Sequence, residues 1–196
     1  MTTPDPDILR RLDPALREFA EARSDLSLET LVAARQSLDE RRRAAAAEVD
    51  STGVQITDVT VPRDDGPAVP VRVYRGAGTQ GPAVIYCHAG AFVLGNLDTD
   101  HRQCVALARR AACTVVSVDY RLAPEHPYPA ALYDALTVLG WVRTRASDLG
   151  VDPDRLAVAG SSAGAALAAG LAQRSAGGEA PPIVGVLLHQ PVLDDR

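Results

Sequence analysis

The chain has 196 residues, enough for one domain with a buried core, and 46% of them are hydrophobic against 23% charged, an ordinary globular balance. A net charge of −5, with all 20 basic residues arginine and scattered, argues against nucleic acid as a partner. The N-terminus has no basic start followed by an apolar run, no apolar stretch has the length of a membrane span, and the three cysteines show no metal spacing, so a cytoplasmic protein with reduced thiols is expected.

Residues 1 to about 50 read as helical. Ile8, Leu9, Leu12, Leu16, Phe19 and Ala20 recur at near-helical spacing, broken in two by Pro14. Ser27 is placed to cap a second helix through Leu28, Leu31, Val32, Ala34, Arg35 and Leu38. Arg41-Arg42-Arg43 is expected to be a solvated helix end. The period then shortens to two. Val54, Ile56, Val59 and Val61 suggest one strand and Val69, Val71 and Val73 a second, with the turn cluster Asp64-Asp65-Gly66-Pro67 making them a hairpin. Apolar runs at 83–87, 114–118, 156–159 and 183–188 look like strands buried on both faces. Helical segments over about 98–112, 130–149 and 162–175 separate them, and Asp152-Pro153-Asp154 marks a turn before the third run. Cys87 and Cys113 read as strand residues and Cys104 as mid-helix, which suits packing more than nucleophilic chemistry. The pattern specifies an α/β fold: a mostly parallel sheet with a leading antiparallel hairpin and helices on both faces. Its chemistry is expected at the carboxyl ends of the strands.

Gly160-Ser161-Ser162-Ala163-Gly164 follows a strand and opens a helix, the context that a G-x-S-x-G turn requires. So tight a turn excludes bulk beside the serine; Gly160 and Gly164 remove it, and the Ser162 hydroxyl is pushed into a cleft at a helix N-terminus. His88-Ala89-Gly90-Ala91-Phe92 leaves the preceding strand at the same sheet edge. Its amides, with that of Ala163, are placed to bind the oxygen of a tetrahedral intermediate. His88 itself is expected to be a scaffold residue of the loop, and His101 and His126 helix and loop residues.

Together these segments resemble the hormone-sensitive-lipase family of α/β-hydrolases. Residues 88–92 are similar to its HGGGF loop, 160–164 to its GDSAG motif, and Asp119 to Ala131 to its DYRLAPEHPYPAA segment almost letter for letter. The resemblance implies a serine carboxylic ester hydrolase acting on short- to medium-chain esters through an acyl-enzyme, with no metal or organic cofactor. It implies Ser162 as nucleophile and the amides of Gly90, Ala91 and Ala163 as the oxyanion hole, supported by His88, Gly160 and Gly164. Residues 1–50 would form an N-terminal helical lid segment and 51–196 a partial α/β-hydrolase core.

Three departures stand out. Ala89 and Ala91 replace glycines, so any positive φ becomes costly there. Ser161 replaces an aspartate. The order in this fold is Ser, then Asp or Glu, then His; after Ser162 the chain offers Glu179, Asp194 and Asp195 as acids and only His189 as a base, which precedes both aspartates. The chain is therefore expected to be incomplete at the C-terminus and to be a poor esterase alone. The alternative is a non-catalytic small-molecule-binding protein or an inactive fragment on the same fold. The expected partner is a small-molecule ester, and the open sheet edge at 183–188 invites self-association.

Overall fold

The computed structural model describes residues 10–17, 27–63, 66–78 and 80–193. The chain divides into two compact units, Met1–Ser37 and Leu38–Arg196. Early in the first, a 3-10 turn (Pro14–Leu16) opens at the proline, with the Ala15 amide donating to Asp13 Oδ1 at 2.9 Å. Ile8, Leu9, Phe19 and Ala20 lie outside the described residues. Helix α1 (Leu28–Ala47) starts directly after Ser27, whose carbonyl accepts the amides of Thr30 and Leu31. The arginine triplet lies inside α1, not at its end. Arg41 and Arg43 are exposed, whereas Arg42 is half-buried and pairs with Asp39 at 3.8 Å.

The second unit holds the sheet. Strands β1 (Gln55–Val61) and β2 (Val69–Arg75) pair antiparallel along their whole length, as the alternating valines require. The turn residues Asp64 and Asp65 lie outside the described residues. Strands β3 (Gly81–Cys87), β4 (Thr114–Val118), β5 (Val151–Ser161) and β6 (Gly185–His189) complete a six-stranded sheet of order β1-β2-β4-β3-β5-β6. β2 meets β4 antiparallel; β4, β3, β5 and β6 run parallel. This is the mixed architecture expected from the sequence.

Helices α2 (His101–Ala111), α3 (Ala130–Thr144), α4 (Ala146–Leu149) and α5 (Ala163–Ala176) connect the strands. Leu132, Val138 and Leu139 of α3 and Leu167 and Leu171 of α5 pack with Ile85, Val116 and Val158 in one core. Cys104, Val105 and Ala108 of α2 pack with Tyr74, Tyr86 and Val115 in another. Adjacent residues such as Ile85 and Tyr86 thus go to opposite faces, which is why β3 is apolar without a break from Ala83 to Cys87. Among the described residues no helix is long and apolar enough to cross a membrane.

Local differences from the sequence reading have local causes. The single helix expected over 130–149 breaks at Arg145, which leaves helical geometry at φ −103°, ψ 18°. The Asp152-Pro153-Asp154 turn is an irregularity inside β5. Asp152 Oδ1 accepts the Asp154 amide at 3.0 Å, proline has no amide to give, and the pairing with β3 jumps from Gly81–Val151 to Ala83–Leu156. Cys113 lies one residue before β4.

Candidate active site

In the sheet register Cys87 stands opposite Gly160. β3 and β5 therefore end level, and the segments after them leave the same edge. On the β5 side the chain reverses into α5 within one residue: Ser162 has φ 54°, ψ −117°, far from the regions an L-residue ordinarily occupies. Its amide donates to the His189 carbonyl at 2.9 Å, and its carbonyl accepts Ala165 at 3.0 Å and Ala166 at 3.2 Å, so the bend is held from both sides. A Cβ on Gly160 would collide with the Gly164 carbonyl, and a Cβ on Gly164 with the carbonyls of Cys87 and His88. Both glycines are thus demanded by close approach, and the second seats the first turn of α5 against the exit of β3. The Ser162 side chain is half-exposed, and among the described residues nothing hydrogen-bonds its hydroxyl.

The segment leaving β3 turns sharply as well. Gly90 (φ 151°), Ala91 (φ 52°) and Phe92 (φ 62°) are consecutive positive-φ residues. The Gly90 carbonyl closes the turn by accepting Val93 at 3.0 Å and Leu94 at 2.8 Å. Ala91, where the resembled family carries glycine, thus sits in the conformation costly for an alanine. Among the described residues the amides of Gly90, Ala91 and Ala163 carry no hydrogen bond.

What holds this loop comes from three places. The His88 ring is fully buried; its Nδ1 lies 2.9 Å from the Ala89 carbonyl, and it stacks on Tyr120 with centroids 4.2 Å apart and planes 14° from parallel. Burial lowers its pKa to about 4, so it is neutral at pH 7. The Tyr120 hydroxyl donates to the His88 carbonyl at 2.7 Å, and the Ala123 amide to that of Phe92 at 2.9 Å. Asp100 Oδ2 accepts the Ala89 amide at 2.9 Å and the Tyr86 hydroxyl at 3.3 Å. The segment carrying Tyr120 and Ala123 is itself anchored, because the buried Asp134 carboxylate accepts the Arg121 amide and Nε at 2.9 Å and pairs with Arg63. The 119–131 segment, read from sequence only as a family signature, is physically the buttress of the loop. Asp100 was missed, because the sequence pattern starts this helix at about residue 98 and so puts Asp100 inside it, whereas the helix starts at His101 and Asp100 is its N-cap residue.

Among the described residues the other candidates do not meet Ser162. The His189 ring contacts Ser161 instead, Nδ1 to Oγ at 3.3 Å. Glu179 pairs with Arg174 at 2.8 Å, while Asp194 and Asp195 lie outside the described residues. His101 opens α2 and meets the Tyr74 hydroxyl at 2.9 Å, and His126 is exposed in a loop. Cys87 and Cys104 are fully buried and Cys113 nearly so; burial pushes the Cys87 thiol up to about 12, which leaves it unreactive. Among the described residues no cluster of His, Cys, Asp or Glu is placed to hold a metal ion. A cavity of about 500 Å³ begins one helical turn past Ser162 and is lined by Phe92, Tyr128, Leu132, Ala166, Gly170 and Gln173, among others.

Residues 84–196 match the family described as alpha/beta hydrolase fold. The chain belongs to the α/β-hydrolase family. This α/β-hydrolase is 61% identical to esterase LipW from Mycobacterium marinum, with a TM-score of 0.89 over 97% of its own length and 61% of that chain. It is 45% identical over 144 residues to esterase LipI of Mycobacterium tuberculosis, covering 70% of this chain and 44% of LipI. Against ethyl acetate hydrolase of Pseudomonas putida the identity is 37% over 167 residues, 82% of this chain and 52% of that protein. The chain therefore spans between 44% and 61% of the length of these relatives.

Proposed function

We propose that this edge of the sheet is the nucleophile and oxyanion half of a serine carboxylic ester hydrolase. The observation that carries the reading is the strained bend at Ser162, seated by Gly164 against the exit of β3, beside a loop whose Gly90 and Ala91 amides carry no hydrogen bond among the described residues. In the reaction the Ser162 hydroxyl attacks the acyl carbon and its proton passes to a base. The carbonyl oxygen becomes an anion received by the amides of Gly90, Ala91 and Ala163, the alcohol departs, and water then releases the acid. Two esterases and an ethyl acetate hydrolase among the relatives support a small ester as substrate. The cavity that starts at Phe92 and Ala166 is where the substrate's chain would lie. No metal or organic cofactor enters this chemistry.

The base is the weak point. With the His189 ring on Ser161 and no partner on the Ser162 hydroxyl among the described residues, hydrolysis by this chain would rest on the oxyanion hole and binding, roughly 10³–10⁴ over water. That same observation favours the second reading, a binding protein or inactive fragment. A fluorophosphonate probe separates the two. Labelling that Ser162→Ala abolishes supports the enzyme; no labelling of folded protein refutes it. Brisk hydrolysis of nitrophenyl butyrate, lost in Ser162→Ala, would refute only the claim of weakness.

Residues 1–50 are read as lid and 51–196 as core. Val186 and Leu187 on β6 are 46% and 57% exposed, which supports self-association along that edge. Sedimentation tests it, with Leu187→Lys expected to lower the apparent mass. The unbridged cysteines support a reducing, cytoplasmic setting.

A further inference from the structure

We propose that Asp100 is a positioning residue for the main-chain oxyanion site, diverted from capping its own helix to hold the 88–92 loop; the proposal rests on the hydrolase reading above. Asp100 occupies the N-cap of α2, where an aspartate ordinarily accepts an amide of the first helical turn. Here its side chain makes no capping bond. It is 6% exposed, and its Oδ2 instead reaches across to the Ala89 amide and the Tyr86 hydroxyl, 2.9 and 3.3 Å away.

The position of Ala89 gives this bond its consequence. Its amide immediately precedes the two loop amides left unbonded, at Gly90 and Ala91. The three positive-φ residues that follow, two of them not glycine, form a run that persists only where the surroundings over-determine it. Tyr120 and Ala123 tie the loop through its carbonyls, at His88 and Phe92. Asp100 ties it through an amide, and with a charged acceptor, which makes the stronger bond. Burial raises the Asp100 pKa while the bonds from Ala89 and Tyr86 lower it, so these two donors replace the water that the carboxylate has lost.

Because both donors converge on one oxygen, the carbonyl of an asparagine can replace the carboxylate and an alanine cannot. A serine would restore the helix cap but is too short to reach Ala89. The experiment compares the 196-residue chain with Asp100→Ala, Asp100→Asn and Asp100→Ser. It reads amide hydrogen exchange over residues 88–92 and the rate at which a fluorophosphonate labels Ser162, well below each thermal midpoint. Alanine and serine are expected to speed exchange in the loop and to slow labelling by about tenfold or more, up to the 10²–10³ of a lost donor. Asparagine should stay within about threefold of the parent in both, since the acceptor is kept. Serine keeps the comparison decisive if alanine does not fold. A purely structural role would lower the midpoint and leave labelling unchanged. Parent-like labelling in alanine or serine, or asparagine as slow as serine, overturns the proposal. If the parent itself is not labelled, the hydrolase reading fails, and unaltered loop exchange in Asp100→Ser would then overturn the tether as well.

Discussion

Gly164→Ala sets two physical effects against each other. Helix propensity alone favours alanine by about 1 kcal/mol. Close approach opposes it. An ideal Cβ at 164 overlaps the oxygens of Cys87 and His88 and stands 2.5 Å from the Cys87 carbonyl carbon. Carbon atoms in contact prefer about 3.5–4.0 Å, so the first turn of α5 must retreat by about 1 Å. The obstacle cannot turn aside, because it is main chain at the end of β3, paired with β4 on one side and β5 on the other. Overpacking of this kind costs about 1–3 kcal/mol, and the rigid obstacle puts this site at the upper end, so the net expectation is a loss of about 2 kcal/mol. Gly140 in α3 is the control. A Cβ added there would meet nothing within 4 Å, so Gly140→Ala should gain about 1 kcal/mol. Urea unfolding followed by circular dichroism measures both. The retreat also carries the Ala163 amide away from the loop, and a shift of about 1 Å can cost about 10²-fold in rate, so fluorophosphonate labelling of Ser162 should fall by that order. A Gly164→Ala protein as stable as its parent would refute the close-approach argument.

Other outcomes are equally specific. Ala91→Gly removes a left-handed alanine worth roughly 1–2 kcal/mol against a glycine entropy cost of roughly 0.5–1, so unfolding should show anything from no change to a gain of about 1.5 kcal/mol; a clear loss contradicts the strain. His88, lowered to about 4 from 6.5 by burial, contributes fully above about pH 6.5, and that contribution is lost as pH falls toward 4, by up to about 1.4 kcal/mol per unit. Asp119, pushed up to about 6 by burial, acts with the opposite sign, its contribution complete below 3.8 and lost as pH rises through about 6. The quantity to measure is therefore the stability difference between the parent and His88→Phe, which should shrink with acidification; a constant difference rejects the buried neutral ring. Asp134→Asn leaves Arg63 and Arg121 without their shared carboxylate and should cost about 3–5 kcal/mol in the same unfolding assay. A loss under about 1 kcal/mol would mean the buttress is held by other means.

What could be read in the sequence was what periodicity and close packing write there. The alternating valines of β1 and β2 gave a hairpin, and the unbroken apolar run of β3 and the valine-rich run of β4 gave strands covered on both faces. Gly160 and Gly164 announced a bend too tight for side chains. Long-range ties left no such trace. Nothing local tells that the carboxylate of Asp100 turns away from its helix, that Tyr120 stacks on His88, or that Asp134 gathers two arginines from distant segments. The helix break at Arg145 left no local signal either, whereas Asp152-Pro153-Asp154 was legible as a turn and only its place inside β5 was decided by the pairing with β3.

The order of strands also sets a timetable for synthesis. β3 sits between β4 and β5, both of which are made after it. A nascent chain that has just completed β3 has no partner for either of its edges, and the loop at 88–92 lacks Tyr120 and Asp100 alike. One edge is covered when β4 emerges; the other stays bare until the ribosome has passed Ser161. The serine bend then arrives only after every support of the opposite wall has been made, and β6, whose His189 carbonyl accepts the Ser162 amide, comes last of these strands.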